Sequence, residues 1–282
     1  MLKRNIKKSE KMTLILGIKY KDGIVLIGDT KITQGSSYYY DNKIEAPVSG
    51  IKVAVGSAGL TALSKDFNRK VNDLVTQRIS EYRFANIKEL VGTGVNIEDV
   101  ESGKINVRLT YIYNENKFLD DCAFLTKQVA ELGKLYQQNP IESIVGINVS
   151  SPLLYQIDCN GLKMEVPHVA IGSGSDHIGS YLKENYYREI TLDESILIGT
   201  FLIKYVELLG FDSNVGVEKD ELPQIFNLDK DTCENYFPPI SKKKEVLKEV
   251  NARIKKIRKN MILISSTGKK EPSGILSKRK TR

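Results

Sequence analysis

The stretch TLILGIKYKDGIVLIGD, residues 13–29, decides the fold of this 282-residue chain. Residues 14–18 are apolar at almost every position, which is typical of a strand buried on both faces. The dipeptide Asp22-Gly23 has the composition of a hairpin turn, and residues 24–27 form the returning apolar run, which ends at Asp29. The stretch therefore predicts an antiparallel hairpin with both strands in the core.

Beyond residue 29, the apolar spacing changes from the two-residue period of strands to the longer period of helices, and it does so twice. The predicted elements are strands at 43–46 and 51–55, a helix from Thr61 or Ser64, a helix with apolar positions from Phe118 to Leu135, strands at 143–149, 153–157 and 168–171, and helices at about 175–187 and 192–209. Thr191 and Glu194 have capping-box spacing at the start of the last helix. Because strands and helices come in separate blocks, the sequence predicts a layered α+β fold.

Two segments depart from this pattern. Residues 86–117 contain three glycines and one alternating run, residues 107–113, and we interpret them as an inserted hairpin. The C-terminal part has one predicted helix, at 244–259, and beyond Ser265 a basic, Gly- and Ser-rich end that is predicted to be disordered. The predicted organisation is a propeptide or mis-assigned start at 1–12, a main domain at 13–237 and a basic, partly disordered extension at 238–282.

Composition narrows the class of protein. The chain is 41% apolar and 27% charged and has no apolar run near the roughly 18 residues of a membrane helix, so we expect a cytoplasmic globular protein without membrane contact. Its three cysteines form no CxxC pair, which argues against a disulfide framework or a zinc site. Residues 1–12 carry five basic residues against one acidic, and residues 242–282 carry fifteen against three. Because the middle is acidic, nucleic-acid binding is disfavoured.

Thr13, Asp29 and Lys43 are the residues that most strongly suggest chemistry. A threonine hydroxyl is a weak nucleophile without a base beside it, but a threonine at a chain start has its own α-amine for that purpose. The chain has only two histidines, and neither belongs to a GxSxG elbow or to a metal-ligand spacing. The amine is free only if residues 1–12 are absent, so the Met12–Thr13 bond is decisive.

Several ordered motifs resemble those of proteasome β subunits. The motifs are TLILGI at 13–18, DGIVLIGD at 22–29, Lys43, Ser57-Ala58-Gly59, the strand pair at 152–161, GSGS at 172–175, ITLDE at 190–194 and Asp212-Ser213. They cover roughly residues 13–84 and 118–226. The resemblance implies the four-layer αββα sandwich of the N-terminal nucleophile hydrolases. It also implies a threonine-type endopeptidase that uses no metal or organic cofactor.

The resemblance gives each site residue a role. Thr13 would attack the scissile carbonyl with its α-amine as base, and the charge of Lys43 would lower the pKa of both groups. Asp29 would accept a hydrogen bond from Lys43 and hold it. A backbone N–H near Gly59 would stabilise the oxyanion, with Ser57 as the alternative position.

Further residues are implied around the nucleophile. Ser173 and Asp212 would orient the Thr13 amine, and Thr33 would pair its backbone with an extended substrate. The pocket beside the nucleophile would be bordered by Ile32, Glu45 and Val55. The implied partners are α-type and β-type subunits in a ring, and the implied substrates are peptides and unfolded proteins.

Processing and activity each leave alternatives open. Met12 stands where the family usually has a glycine, so Thr13 would be exposed either by autocatalytic cleavage of a zymogen or by translation from Met12 and methionine removal. Val215 stands where the family has a second serine. An enzyme of this fold that passes its acyl group to an amine would be a peptide ligase or amidase. A catalytically inactive structural subunit, or a basic-tailed binding protein, is the remaining alternative.

Overall fold

The computed structural model describes residues 13–34, 37–46, 52–59, 61–92, 115–135, 141–148, 151–186, 189–208, 215–229 and 232–267. The contacts within the chain divide the protein into two units, residues 1–237 and 238–282. The described residues form a mixed fold of twelve strands and five helices. None of these described helices is both long and apolar enough to cross a membrane.

The strands are β1 (Leu14–Tyr20), β2 (Gly23–Gly28), β3 (Lys31–Gln34), β4 (Ser37–Tyr40), β5 (Ile44–Glu45), β6 (Val53–Ala58), β7 (Glu142–Asn148), β8 (Pro152–Ile157), β9 (Lys163–Glu165), β10 (His168–Gly172), β11 (Gln224–Asp229) and β12 (Cys233–Asn235). The helices are α1 (Thr61–Gly92), α2 (Glu115–Leu135), α3 (Ser175–Asn185), α4 (Leu192–Leu208) and α5 (Ile240–Thr267). The predicted α+β class is confirmed, since the structure contains both strands and helices and they come in separate blocks along the chain.

The strands form two five-stranded sheets and one two-stranded sheet. The first sheet has the order β10-β1-β2-β11-β12, the second has the order β5-β6-β7-β8-β9, and β3 pairs with β4. The predicted hairpin is confirmed, since β1 and β2 are antiparallel neighbours with Leu16 opposite Ile27. Its turn residues are Lys21 and Asp22, one position earlier than predicted.

Apolar side chains from the two large sheets pack against each other. Ile15 and Leu26 of the first sheet and Ile144 and Leu154 of the second belong to one buried cluster. A second cluster joins the second sheet to α1 and α2, and its fully buried members include Phe67. The sheets are therefore apolar on both faces, which explains the almost continuous apolar runs of β1 and β2.

Helix α4 approaches the first sheet very closely. A Cβ placed on Gly199 would lie 2.3 Å from Cδ1 of Ile27, so a larger residue here would have to displace the Ile27 side chain. The helix begins with the predicted capping box: the N–H of Glu194 donates to Oγ1 of Thr191 at 3.3 Å, and the N–H of Thr191 donates to the Glu194 carboxylate at 2.9 Å. These local signals place α4 as the sequence predicted.

The structure corrects the interpretation of residues 86–117 as a hairpin. Helix α1 continues through Asn86 to Gly92, and residues 115–117 belong to α2. Asn and Gly in a helix cost at most about 1 kcal/mol each, and the intervening residues 87–91 are compatible with a helix. The alternating run at 107–113 lies outside the described residues.

The second unit contains the helix predicted in the basic extension. Helix α5 begins at Ile240, four residues earlier than predicted, and it continues to Thr267, so residues 266 and 267 are helical rather than disordered. Val246, Val250 and Ile254 recur every four residues and therefore share one face of the helix. The remainder of the tail lies outside the described residues.

Candidate functional site

Three strand ends bring Thr13, Asp29 and Lys43 together. Thr13 directly precedes β1 and Asp29 directly follows β2. Because these strands are antiparallel, the two residues lie at the same end of the strand pair. Lys43 directly precedes β5. A Cβ built on Gly28 would lie 3.2 Å from Cδ1 of Ile44, so the start of β5 lies against the end of β2.

The Asp29 carboxylate is the centre of the site. Nζ of Lys43 donates to both of its oxygens, at 2.9 and 2.8 Å. The N–H of Leu14 donates to Oδ1 at 2.7 Å, and the N–H of Gly216 donates to Oδ2 at 3.4 Å. Nζ of Lys43 also donates to the carbonyl oxygen of Lys31 at 2.7 Å. Asp29 therefore links the residue after Thr13 directly to the lysine.

Burial controls the electrostatics of this pair. Asp29 is fully buried and Lys43 is 8% exposed. Burial raises the pKa of the Asp29 carboxyl above its ordinary value, and the Lys43 ammonium and the two backbone N–H groups oppose that rise. Because all of these donors converge on the carboxylate, the geometry is that of an ion pair: a buried negative charge that holds an ammonium in one position.

Thr13 is clamped from behind by the loop that follows β10. The N–H of Ser173 donates to the carbonyl oxygen of Thr13 at 3.0 Å. Gly172 has φ +100°, and a Cβ on it would lie 1.8 Å from that same oxygen. Gly172 is therefore required by both its conformation and its contact, and it lets two chain segments meet behind Thr13.

Two hydroxyl groups among the predicted site residues are buried without hydrogen-bond partners. They are Oγ of Ser173 and Oγ1 of Thr33, and neither has a partner within the described part of the chain. Buried hydroxyls are usually satisfied, so unsatisfied ones require an explanation. Both positions have an unused polar atom.

The predicted oxyanion donors lie at the end of β6. Gly59 follows this strand directly, and Ser57 is one of its buried residues. A Cβ on Gly172 would lie 3.3 Å from Cβ of Ala58, which places this strand end next to the loop that clamps Thr13. Oγ of Ser57 is already engaged with Oδ1 of Asn68 at 3.3 Å.

Two predicted residues, Met12 and Asp212, lie outside the described residues. Val215 is described and is buried. Its neighbour Gly216 supports the site through its N–H group to Asp29 and also through its carbonyl oxygen, which accepts from the N–H groups of Thr30 and Lys31. Sequence reasoning missed Gly216 because it contributes only backbone atoms.

Gln224 is a second residue that the sequence did not indicate. Its Oε1 accepts from the N–H groups of Lys43 and Ile44, at 2.7 and 2.9 Å. Its Nε2 donates to the carbonyl oxygen of Ile44 at 2.7 Å and to Oδ1 of Asn235 at 2.9 Å. This buried amide therefore fixes the backbone from which the lysine side chain extends. No local motif marks it, since Lys43 and Ile44 are about 180 residues away.

A small polar cavity lies beside the nucleophile candidate. It has a free volume of about 20 Å³. Its lining residues are Thr13, Ile32, Asn42, Lys43, Glu45, Ser57, Ser64, Lys65 and Asn68. Ile32 and Glu45 thus border it as predicted, whereas Val55 packs in the apolar cluster of the second sheet. Among the described residues no group of three or more His, Cys, Asp or Glu side chains is arranged to hold a metal ion.

Comparisons of the amino-acid sequence with known proteins find similarity to one family. Residues 124–207 match the family described as "Proteasome subunit". Proteasome subunit alpha of Saccharolobus islandicus (strain L.S.2.15 / Lassen #1) is 34% identical over 94 residues, which are 31% of this chain and 38% of that protein. The match therefore spans well under half the length of these α subunits.

Two β-type relatives match over a longer range. Proteasome subunit beta 2 of Sulfolobus acidocaldarius is 27% identical over 191 residues, 66% of this chain and 75% of that protein. Proteasome subunit beta of Methanobrevibacter smithii is 25% identical over 193 residues, 68% of this chain and 78% of that protein. The similarity thus extends over about two thirds of the chain.

Proposed function

This chain is a divergent β-type member of the proteasome subunit family, and on that premise we propose that it is a threonine-type endopeptidase with Thr13 as its nucleophile. The observation that carries the proposal is the Asp29 carboxylate, which accepts from Lys43 and from the N–H of the residue next to Thr13. A buried ion pair is costly to maintain unless its charges are used or fully hydrogen-bonded. Its lysine lines the same small cavity as Thr13, which supports a catalytic use.

The proposed reaction uses an acyl-enzyme intermediate. The Thr13 hydroxyl attacks the peptide carbonyl while its proton passes to the Thr13 α-amine, and the carbonyl oxygen becomes an oxyanion held by the N–H of Gly59. Collapse breaks the C–N bond, and the amine product leaves with that proton. Water then attacks the ester, the α-amine again accepting a proton, and releases the acid product and free Thr13. The ammonium of Lys43 favours the neutral amine and the alkoxide character of the nucleophile.

The supporting residues take roles consistent with their surroundings. We assign the unpartnered hydroxyl of Ser173 to the Thr13 amine, together with Asp212. Thr33 lies on β3, where an extended peptide would add as a further strand. Residues 1–12 must be removed in this scheme, by autocatalytic cleavage after Met12 or by translation from Met12 followed by methionine removal.

Assembly and layer arrangement complete the proposal. Two facts support a four-layer αββα sandwich: apolar side chains join the two sheets, and helices pack on the second sheet and on β2. Relatives of both α and β type support assembly in rings with other proteasome subunits. We propose peptides and unfolded proteins as substrates, and the cytoplasmic location expected from the sequence stays a prediction.

A catalytically inactive subunit is the second candidate. The observation that favours it is Val215, a buried apolar residue where the family resemblance leads us to expect a serine near the amine. The retained ion pair of Asp29 and Lys43 favours the active form. A peptide ligase or amidase would use the same acyl-enzyme, and product masses from mixed peptides would distinguish it from a hydrolase.

The test compares two substitutions of one residue. Thr13→Ala removes the hydroxyl and should abolish peptide hydrolysis, whereas Thr13→Ser keeps a hydroxyl and should retain measurable turnover. Both variants are purified with their native partners, and the N-terminus is verified by mass spectrometry before the assay. Unchanged hydrolysis in Thr13→Ala would overturn the proposal, and an inactive wild type with a free Thr13 would favour the structural subunit.

A further inference from the structure

The cavity beside Thr13 is lined by three charged side chains, those of Lys43, Glu45 and Lys65. Two lysines line it, but each has a carboxylate partner: Lys43 pairs with Asp29 at 2.8 Å, and Lys65 pairs with Asp41 at 2.7 Å. The Lys65 hydrogen bond lowers the pKa of the Asp41 carboxyl, so this pair is ionised at neutral pH. Neither lysine therefore leaves a positive charge uncompensated.

Glu45 is the lining carboxylate that forms no ion pair among the described residues: Lys65 interacts with it electrostatically at longer range, but that lysine is itself paired with Asp41. Its polar contact among the described residues is a long hydrogen bond, 3.5 Å, from Nδ2 of Asn72 to Oε2. No Lys, Arg or His nitrogen of a described residue lies within 4.0 Å of its carboxylate. A partly buried carboxylate without a cation attracts one, because water screens it poorly there. When the aspartates paired with the two lysines are counted, the charges around the cavity leave one net negative charge, that of Glu45.

The shape of the site limits which group can reach Glu45. The cavity beside Thr13 has room for about one water-sized group, so a side chain that enters must be slender at this point. Asn42, Glu45 and Lys65 also line a second, wider cavity of about 720 Å³. Glu45 thus lies at the border between a narrow cavity and a wider one that is more open to solvent. A slender stem with a polar head fits this arrangement better than a branched or aromatic side chain.

Other lining atoms suit such a side chain. Ile32 gives the narrow part an apolar wall for a methylene stem. Oγ of Ser64 is buried and has no hydrogen-bond partner within the described part of the chain, so it is free to accept a hydrogen bond. The second cavity is also lined by Asp41 and Glu234, and its two cations, Lys65 and Arg69, are paired with Asp41 and Asp66.

We propose that this cavity binds the side chain of the substrate residue whose carbonyl Thr13 attacks, and that Glu45 selects lysine or arginine at that position. The inference rests on the proposed function, since it takes Thr13 as the nucleophile. The stem of the substrate side chain lies along Ile32, and its cationic head binds the Glu45 carboxylate at the border of the wider cavity. Glu45 is then a specificity-determining residue.

The experiment uses fluorogenic peptides that differ only in the residue before the cleaved bond: Lys, Arg, Gln, Leu, Phe or Glu. The protein is purified with its native partners and its Thr13 N-terminus is verified. Wild type should show the highest kcat/KM with Lys and Arg. Glu45→Gln, which keeps the shape of the side chain, should lower those two values about 10- to 100-fold, because a charge-assisted hydrogen bond is lost, and should change the Leu value less than about 2-fold.

A matched control removes an equal charge elsewhere. Glu165 pairs with Lys19 at an exposed position that does not line this cavity, so Glu165→Gln should leave the basic preference intact. A second variant, Glu45→Asp, keeps the charge and should retain part of the preference for Lys and Arg. It provides the test if Glu45→Gln folds poorly. Thermal melting of each variant distinguishes loss of fold from loss of specificity.

Three results would overturn the inference. Highest kcat/KM with Leu or Phe would mean that the cavity does not select cationic side chains. Highest kcat/KM with Glu would mean that Lys65 selects an acidic side chain instead. Equal loss on all peptides in Glu45→Gln would make Glu45 a structural residue. No hydrolysis of any peptide by wild type with a free Thr13 would overturn the proposed function as well, whereas hydrolysis with another preference would overturn only the specificity.

Discussion

Ser173 donates its backbone N–H to the carbonyl oxygen of Thr13 at 3.0 Å, while its own hydroxyl is buried without a partner among the described residues. The backbone of this residue thus positions the proposed nucleophile, and its side chain is free for another group. Buried hydroxyls usually have a hydrogen-bond partner, and in the proposed mechanism the free α-amine of Thr13 would be the partner of this one.

Ser173→Ala tests this division of roles. The backbone clamp remains, and removal of an unsatisfied buried hydroxyl should change the free energy of unfolding by less than about 0.5 kcal/mol. Peptide hydrolysis should fall about 10-fold or more, and the pH dependence of kcat should shift, because the amine base loses a hydrogen bond. Ser175→Ala is the control, since Oγ of Ser175 donates to the carbonyl oxygen of Gly172 at 2.7 Å. It should lower stability more than activity, and the reverse result would contradict the assignment.

The ion pair of Asp29 and Lys43 should behave as one unit. Lys43→Met leaves a buried carboxylate without its cation and should destabilise the fold by about 3–5 kcal/mol. Asp29→Asn leaves the buried Lys43 ammonium without its carboxylate and should destabilise the fold by a similar amount. The double variant should be less destabilised than the sum of the two, which chemical denaturation of all four proteins would measure. Strict additivity would show that the pair is not coupled. All three variants should be inactive.

Gln224 should matter to catalysis although it is not expected to touch substrate. Gln224→Ala removes the amide that binds the backbone of Lys43 and Ile44 and leaves those groups unsatisfied, so it should cost about 1–3 kcal/mol. Because the lysine is then poorly positioned, kcat should fall more than KM changes.

The matched control lies on the same strand. Asn227 is also buried and accepts from the Tyr20 hydroxyl at 2.8 Å, away from the site. Asn227→Ala should cost comparable stability and leave kcat largely unchanged. A loss of kcat in both variants would mean that general loosening of β11, not positioning of Lys43, explains the effect.

Gly172 should not tolerate a side chain. Its φ of +100° disfavours an L residue, and a Cβ would lie 1.8 Å from the carbonyl oxygen of Thr13. Gly172→Ala should therefore destabilise the fold by about 3 kcal/mol or more and displace Thr13, with loss of hydrolysis. Gly179, in α3, is the control: a Cβ added there would meet no atom within 4 Å, so Gly179→Ala should be neutral or stabilise by up to about 1 kcal/mol. Thermal unfolding of both variants measures the contrast.

The sequence predicted the parts of the fold that depend on local signals. The hairpin of β1 and β2 follows from its apolar runs and turn, and α4 follows from the capping box of Thr191 and Glu194. The extent of α1 was wrong because Asn86 and Gly92 indicate a loop locally, yet each costs too little to end a helix. The exposed strand β4 was not predicted as a strand, since it has no buried face to give it a pattern.

The residues of the candidate site also fall into two groups, those marked by a local motif and those brought in by long-range contacts. Thr13, Asp29 and Lys43 were found because their spacing within one meander resembles a known family. Gln224 and Gly216 were missed because they reach the site from the far end of the chain, one through a side-chain amide and the other through a backbone N–H. Such long-range contacts leave no period or motif in the sequence, and only the folded chain reveals them.

The measurement that tests the central claim most directly is the N-terminal sequence of the hydrolytically active protein purified from its native cells. Active molecules should begin at Thr13, because only then does the nucleophile carry a free α-amine as its base. Active molecules that begin at Met1 would contradict that claim, since hydrolysis would then proceed without the amine on which the mechanism depends.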